Sequence, residues 1–457
     1  MGAHPSDSAL YGHLWGTEEL HALFDDEGRI QSWLDILAAL ALAQAETGLV
    51  PPEAARAIAE HADVRELDLT RLVEETRTTG HSTLGLVRCL RAVLPEDARE
   101  WVYYGATVQD LSDTWQALVT QKVAAVVDRD LKHLVDRAAA LARRHRDTMM
   151  CARTHGQPGL VITFGFKAAV WASELSRHRE RLAEAARRSR LVQLGGAVGT
   201  MEFWGDEREA LLAGFAERLG LGVPDIAWLT ARDQVAEFVS VLAMATSTLA
   251  KIGQEVYTLQ RSEIGELREP WEPGQVGSIT MPHKRNPELS EHLVTLAKVV
   301  RSNAMLATEG MVHEHERDGR AWKTEWLVMP EACLLSGAAL SLARRLLDGL
   351  EVDDRRMRAN VDATGGYLMS ESVMRALAAR LGKHTAHEVM YAAAAAGRRD
   401  GTSFRAALLA DPGVTAHLSE ADIDRSLDPA SAVRASAVFV DRVLSALTPH
   451  DANGGPR

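Results

Sequence analysis

The chain has 457 residues, enough for two or three domains, because single hydrophobic cores stop growing near roughly 250 to 300 residues. Its net charge of −12, from 51 basic and 63 acidic residues, argues against general affinity for nucleic acid but allows a local basic pocket for a small anion. Cys89, Cys151 and Cys333 lie far apart without CxxC or Cys/His zinc spacing, so no disulfide framework and no metal site are expected, and a reduced, cytoplasmic protein fits. The opening MGAHPSDSALYG has no basic region followed by an apolar run, and no later stretch reads as a bilayer span, so neither secretion nor membrane insertion is expected.

Along the chain the apolar period is helical. Ile30, Trp33, Leu34, Leu37 and Ala41 share one face, Gly48 supplies a terminator, and Pro51 and Pro52 prevent continuation. Leu131, Leu134, Val135, Ala138 and Leu141 form a second face, with Arg143, Arg144 and Arg146 placed to complement the C-terminal end of a helix dipole. A third run from Asp233 to about Glu263 carries Val235, Phe238, Val239, Leu242, Leu249, Ile252, Val256 and Leu259, interrupted only by Gly253. It is longer than an ordinary globular helix. Such helices need partners to cover them, which favours an oligomer. Strand-like alternation is scarce, so the fold class is all-α, with the Ala392 to Ala396 run inside a helix. Turn-rich segments at Tyr103 to Thr107 and Leu350 to Asp354 divide the chain into 1–106, 107–350 and 351–457, and the tail after about Ala446 is expected to be disordered.

Between the third run and the next helix, Pro270 to Arg285 contains Pro270, Pro273, Gly274, Gly277 and Pro282, which disfavour regular structure. A functional loop is expected at 270–285. Asn286 and Pro287 read as the N-cap and first residue of the following helix, whose positive end would then face an anionic ligand. Within the loop Ser278 offers a hydroxyl, and Lys284 and Asn286 follow six and eight positions later.

The segment Gly277 to Pro287, GSITMPHKRNP, resembles the GSSxMPxKxNP signature of the fumarase/aspartase superfamily, with Ile279 in place of the second serine. Arg153-Thr154-His155-Gly156-Gln157-Pro158 resembles the THGQP segment of adenylosuccinate lyases, and Gly105-Ala106-Thr107-Val108-Gln109-Asp110 with Asp113-Thr114 resembles the substrate-contacting GxTSxDxxDT segment. The resemblance implies a three-domain fold around a central bundle of long helices, and a homotetramer whose active sites draw on three chains. It implies Ser278 as catalytic base, His155 as acid oriented by Glu291 thirteen positions after Ser278, and His81 as a second candidate acid. Thr107, Gln109, Asp110, Thr154, Arg232, Lys284 and Asn286 are the implied substrate contacts. Arg317 and Arg320, in the charged run 314–326, are candidates for a second carboxylate. No cofactor is required for this chemistry.

The early region and the 314–326 segment lack the nucleotide-holding elements of adenylosuccinate lyases and look more like 3-carboxy-cis,cis-muconate cycloisomerases, yet the THGQ histidine is kept. That combination resembles the nitrosuccinate lyase branch. The expected function is therefore β-elimination of fumarate from a small N-substituted succinate. Alternatives are an adenylosuccinate lyase, a cycloisomerase, and a helical oligomer that has lost catalysis.

Overall fold

The computed structural model describes residues 4–447. The tail expected to be disordered lies, from residue 448 onward, outside the described residues. The principal helices are α1 (Asp26–Glu46), α2 (Leu69–Thr79), α3 (Leu84–Val93), α4 (Val108–Arg144), α5 (Phe164–Arg188), α6 (Asp233–Gln260), α7 (Glu288–Glu309), α8 (Gly319–Asp348), α9 (Ser370–Leu381), α10 (Lys383–Arg399) and α11 (Ala430–Leu447). Short antiparallel strands are few: β1 (Met149–Thr154) pairs with β2 (Gln157–Thr163), and β3 (Leu267–Arg268) with β4 (Glu351–Val352).

Two of the three apolar faces read from the sequence are buried throughout, and in the first Leu34, Leu37 and Ala41 are buried while Ile30 and Trp33 are half-buried. Leu131, Leu134, Val135, Ala138 and Leu141 of α4 are all buried, as are all eight apolar residues named for α6. At about 25 cal/mol per Å² of apolar surface, each buried Leu, Val, Ile or Phe among them contributes roughly 1.5 to 3 kcal/mol relative to exposure. Gly253 is tolerated inside α6 because a Cβ there would press on the Ser290 carbonyl and Leu293 of α7. It sets how closely the two helices approach. α6 and α8 are also long and apolar enough to cross a bilayer by composition alone, contrary to the sequence reading, but 72% of each apolar window is buried inside the protein, as in core helices.

Two compact units divide the described residues: those within 1–130, 178–249 and 295–341 form unit 1, and those within 131–177, 250–294 and 342–457 form unit 2. Each of α4, α5, α6, α7 and α8 contributes residues to both. Unit 2 includes a C-terminal core in which Val373, Leu377, Met390, Phe404, Leu408 and Ile423 pack together.

Candidate active site

In unit 1 the candidate residues gather at the start of α4. Asp110 is buried, and its carboxylate accepts hydrogen bonds from the backbone N–H groups of Thr107 (2.9 Å), Gly195 (2.7 Å) and Gly196 (3.2 Å). Burial nevertheless pushes its pKa up to about 7, against these three bonds and the nearby Arg317 charge. The expected substrate contact is thus a brace between two chain segments. Gln109 is likewise buried: its amide donates to the Leu229 carbonyl at 2.7 Å and its oxygen accepts from Arg317 Nε at 3.2 Å. Arg317 Nη1 also donates to Thr107 Oγ1 at 2.8 Å. Thr107, Gln109 and Arg317 therefore hold one guanidinium in a fixed, half-buried position suited to a carboxylate.

Two arginine assignments are corrected. Arg232 is fully buried, and its guanidinium is shared between Asp113 (2.7 Å) and Glu325 (2.8 Å). Burial opposes its charge, but the two carboxylates outweigh burial and hold its pKa above the ordinary value. No donor is left for a substrate, so Arg232 ties α4 to α8. Arg320 is 73% exposed and pairs with Glu314 and Asp318, the solvated state usual for a charge run on a helix.

His81 caps α3. Its Nδ1 accepts from the backbone N–H groups of Leu84 (3.2 Å) and Thr83 (3.3 Å), which fixes the proton of the neutral ring on Nε2. The ring is exposed, so that N–H is presented outward. Sequence reasoning missed Tyr103, which lies close to Thr83 and within electrostatic reach of Asp110 and Arg317. Its φ of 62° is an outlier for a bulky side chain and marks the segment leading into Thr107 as constrained. From sequence it reads only as part of a turn.

Unit 2 presents two further elements. Strands β1 and β2 form a hairpin, unanticipated in the sequence reading, in which Thr154 pairs with Gln157. His155 (φ 52°) and Gly156 (φ 76°) are its central residues, the positive-φ pair of a type I′ turn. The base of the turn is anchored by Arg153, whose guanidinium donates to both oxygens of the buried Glu266 at 2.9 and 2.7 Å. Asn360 holds Glu266 from the other side at 2.7 Å. Thr154 and His155 are exposed at the tip.

The second element is the loop between β3 and α7. Ser278 Oγ accepts a hydrogen bond from the Met281 N–H at 3.0 Å, and the Lys284 N–H returns to the Met281 carbonyl at 3.0 Å. A Cβ on Gly277 would collide with the Lys284 carbonyl. Only glycine lets the chain fold back so that Ser278 and Lys284 share one compact turn. The N-cap expectation is corrected: α7 begins at Glu288, so Asn286 stays in the loop. The free N–H groups of Leu289 (3.0 Å) and Ser290 (2.7 Å) bond to the Glu269 carboxylate. The protein's own anion occupies the helix end expected to receive a ligand. Burial raises the Glu269 pKa, against those bonds. Among the described residues no group of three His, Cys, Asp or Glu side chains is placed to hold a metal ion.

A long-helix scaffold presenting a serine-lysine turn and a histidine hairpin is that of a lyase. The sequence matches the family described as Lyase over residues 15–302 and that described as Adenylosuccinate lyase C-terminus over 366–443. It is 38% identical to N-acetyl-S-(2-succino)cysteine lyase of Dickeya dadantii, over 97% of this chain and 98% of that protein. It is 39% identical to 3-carboxy-cis,cis-muconate cycloisomerase of Pseudomonas aeruginosa, over 93% and 94% of the two chains. The crystal structure of fumarate lyase from Mesorhizobium sp. BNC1 superposes with a TM-score of 0.88 at 34% identity, covering 94% of this chain and 98% of that one. The chain belongs to the fumarase/aspartase superfamily, in the branch that holds adenylosuccinate lyases and carboxymuconate cycloisomerases.

Proposed function

We propose that the protein catalyses β-elimination from a small substituted succinate, releasing fumarate. The observation that carries this reading is the Ser278 turn. A hydroxyl is a poor base because it holds its proton tightly, and the Met281 N–H pointed at Ser278 Oγ lowers the cost of the alkoxide. Ser278 then takes the proton from the carbon beside a carboxylate, giving a doubly charged aci-carboxylate. Lys284, Asn286 and Thr154 stabilise that charge, while Thr107 and Arg317 hold the other carboxylate. Collapse of the aci-carboxylate expels the substituent and forms the fumarate double bond.

The leaving group is bound through sulfur or nitrogen. A sulfur link is supported by the names of two relatives, N-acetyl-S-(2-succino)cysteine lyases 38% and 36% identical to this chain. A thiol has a pKa near 8.5 and departs largely as its anion or with modest proton donation, whereas an amine needs an acid. His81 and His155, each as its imidazolium, are the two candidate acids. In this reading four copies assemble in the cytoplasm, and Thr107, His155 and Ser278 of one site come from different chains.

The test is fumarate release, followed by ultraviolet absorbance, from succinylated thiols, nitrosuccinate, adenylosuccinate and aspartate. Fumarate from a succinyl thioether is the expected result, and none from any candidate sinks the proposal. Ser278→Ala should lower kcat by about 10²- to 10⁴-fold with the oligomer intact. Retained turnover removes Ser278 as the base.

A further inference from the structure

Unit 1 contains a cavity of about 420 Å³, within the size range of small-molecule sites, that none of these roles uses. Its walls include four indoles, Trp33, Trp115, Trp322 and Trp326, with Leu72 and Met329. The rings are held in place: Trp322 Nε1 donates to Asp113 at 3.0 Å, and Trp326 meets Trp322 edge-on with centroids 5.0 Å apart. The Arg29 guanidinium lies 4.6 Å from the centroid of the Trp115 ring.

Beside Asp26, whose carboxylate acts electrostatically on Arg29, two sets of polar groups stand out in the lining. Asp113 and Glu325 are committed to Arg232, Trp322 and Gln116. Arg29 Nε, Trp33 Nε1 and Thr76 Oγ1 are buried and have no hydrogen-bond partner among the described residues. Two of these three can only donate, and buried donors left unpaired cost roughly 1 to 3 kcal/mol each. The site therefore calls for acceptors set in an apolar body. It also adjoins the candidate site: Ser82 follows His81, and Ser112 lies one turn beyond Val108 on α4.

We propose that this cavity receives the leaving-group portion of the substrate and selects an apolar, N-acylated group over one carrying a free ammonium. The inference rests on the fumarate-releasing reading of the same enzyme. An acyl carbonyl or a carboxylate accepts from Arg29 and Trp33, while the acyl body and a thioether lie against the indoles. A free ammonium brings only donors to Arg29. A nitrite-sized group does not span the walls. A nucleotide phosphate meets Asp26 as well as Arg29 and Arg77 among the lining residues.

Binding and turnover separate the two claims. The full-length protein is titrated calorimetrically with N-acetyl-S-methylcysteine, N-benzoyl-S-methylcysteine, S-methylcysteine and AMP, none of which turns over. Saturable binding of the acylated pair is expected, with S-methylcysteine at least about tenfold weaker, a difference of 1.4 kcal/mol. Arg29→Leu and the ring-conserving Trp33→Phe should each weaken acylated-ligand binding by about fivefold, the value of one hydrogen bond. Absent binding of the acylated pair, equal binding of the free amine, tighter AMP binding, or indifference to both substitutions overturns the proposal. If binding behaves as expected while no succinylated thiol yields fumarate, the cavity assignment stands as a ligand site and the elimination reading fails.

Discussion

Asp110 shows how one side chain can carry a sequence motif and a different job. Three backbone N–H groups converge on its carboxylate, so it fixes the geometry of Thr107 and of the Gly195-Gly196 turn. Burial raises its pKa to about 7, whereas the unfolded chain titrates near the ordinary carboxylate value. Between roughly pH 4 and that value the folded protein keeps a proton that the unfolded chain has released, so its contribution to stability falls as pH rises and levels off above pH ~8. Comparing the thermal midpoints of wild type and Asp110→Asn across this range should show the wild-type advantage shrinking upward in pH. A growing advantage would mean that the N–H bonds, not burial, govern the group. The motif around Asp110 was legible in the sequence, but its burial was not. The same holds for Arg232, whose partners Asp113 and Glu325 stand 119 and 93 positions away.

At the scale of elements, the 270–285 loop is pinned at both ends. Gln260 at the end of α6 accepts from the Glu269 N–H at 2.8 Å and donates to the Arg285 carbonyl at 3.2 Å. Arg285 in turn donates to the Glu269 carbonyl at 3.2 Å and lies over Trp271, 4.8 Å from the ring centroid. The Glu269 carboxylate closes the clasp on the first turn of α7. Glu269→Gln keeps the shape but sets an amide NH₂ against a backbone N–H, so one of two bonds is lost, at about 1 to 3 kcal/mol for an unsatisfied buried donor. The expected outcome is a fall in kcat of about tenfold with KM little changed, because the Ser278 turn loses its fixed footing. An unchanged kcat would show that the loop orders itself without the clasp. Helix spans were readable because apolar residues recur over many turns, whereas the β1–β2 hairpin was not, its strands being six and seven residues long. The signal that was there is His155-Gly156, which serves where Asn-Gly commonly does, flanked by Met149–Cys151 and Leu160–Thr163.

At the scale of the whole molecule, the long helices leave apolar side chains facing outward. Met244 is 42% exposed, Met305 61% and Leu327 65%, on α6, α7 and α8 respectively. Scattered apolar exposure is ordinary, but exposed apolar side chains on three of the long helices are what association between copies would cover. The His155 ring is exposed at the tip of its turn, and the Ser278 turn is carried on a separate loop. We therefore keep the division at residues 106 and 350 and the shared-site tetramer as linked proposals. If His155 and Ser278 of one site come from different chains, two inactive variants can repair each other. Ser278→Ala supplies an intact histidine, and His155→Ala supplies an intact serine. Dissociating and reassembling the two variants in equal amounts should generate some sites with both intact residues. Random exchange gives each site a chance of about one half for each residue, hence about one quarter of wild-type activity in the mixture. Sites built from a single chain would stay inactive at every mixing ratio, because no chain in the mixture carries both residues.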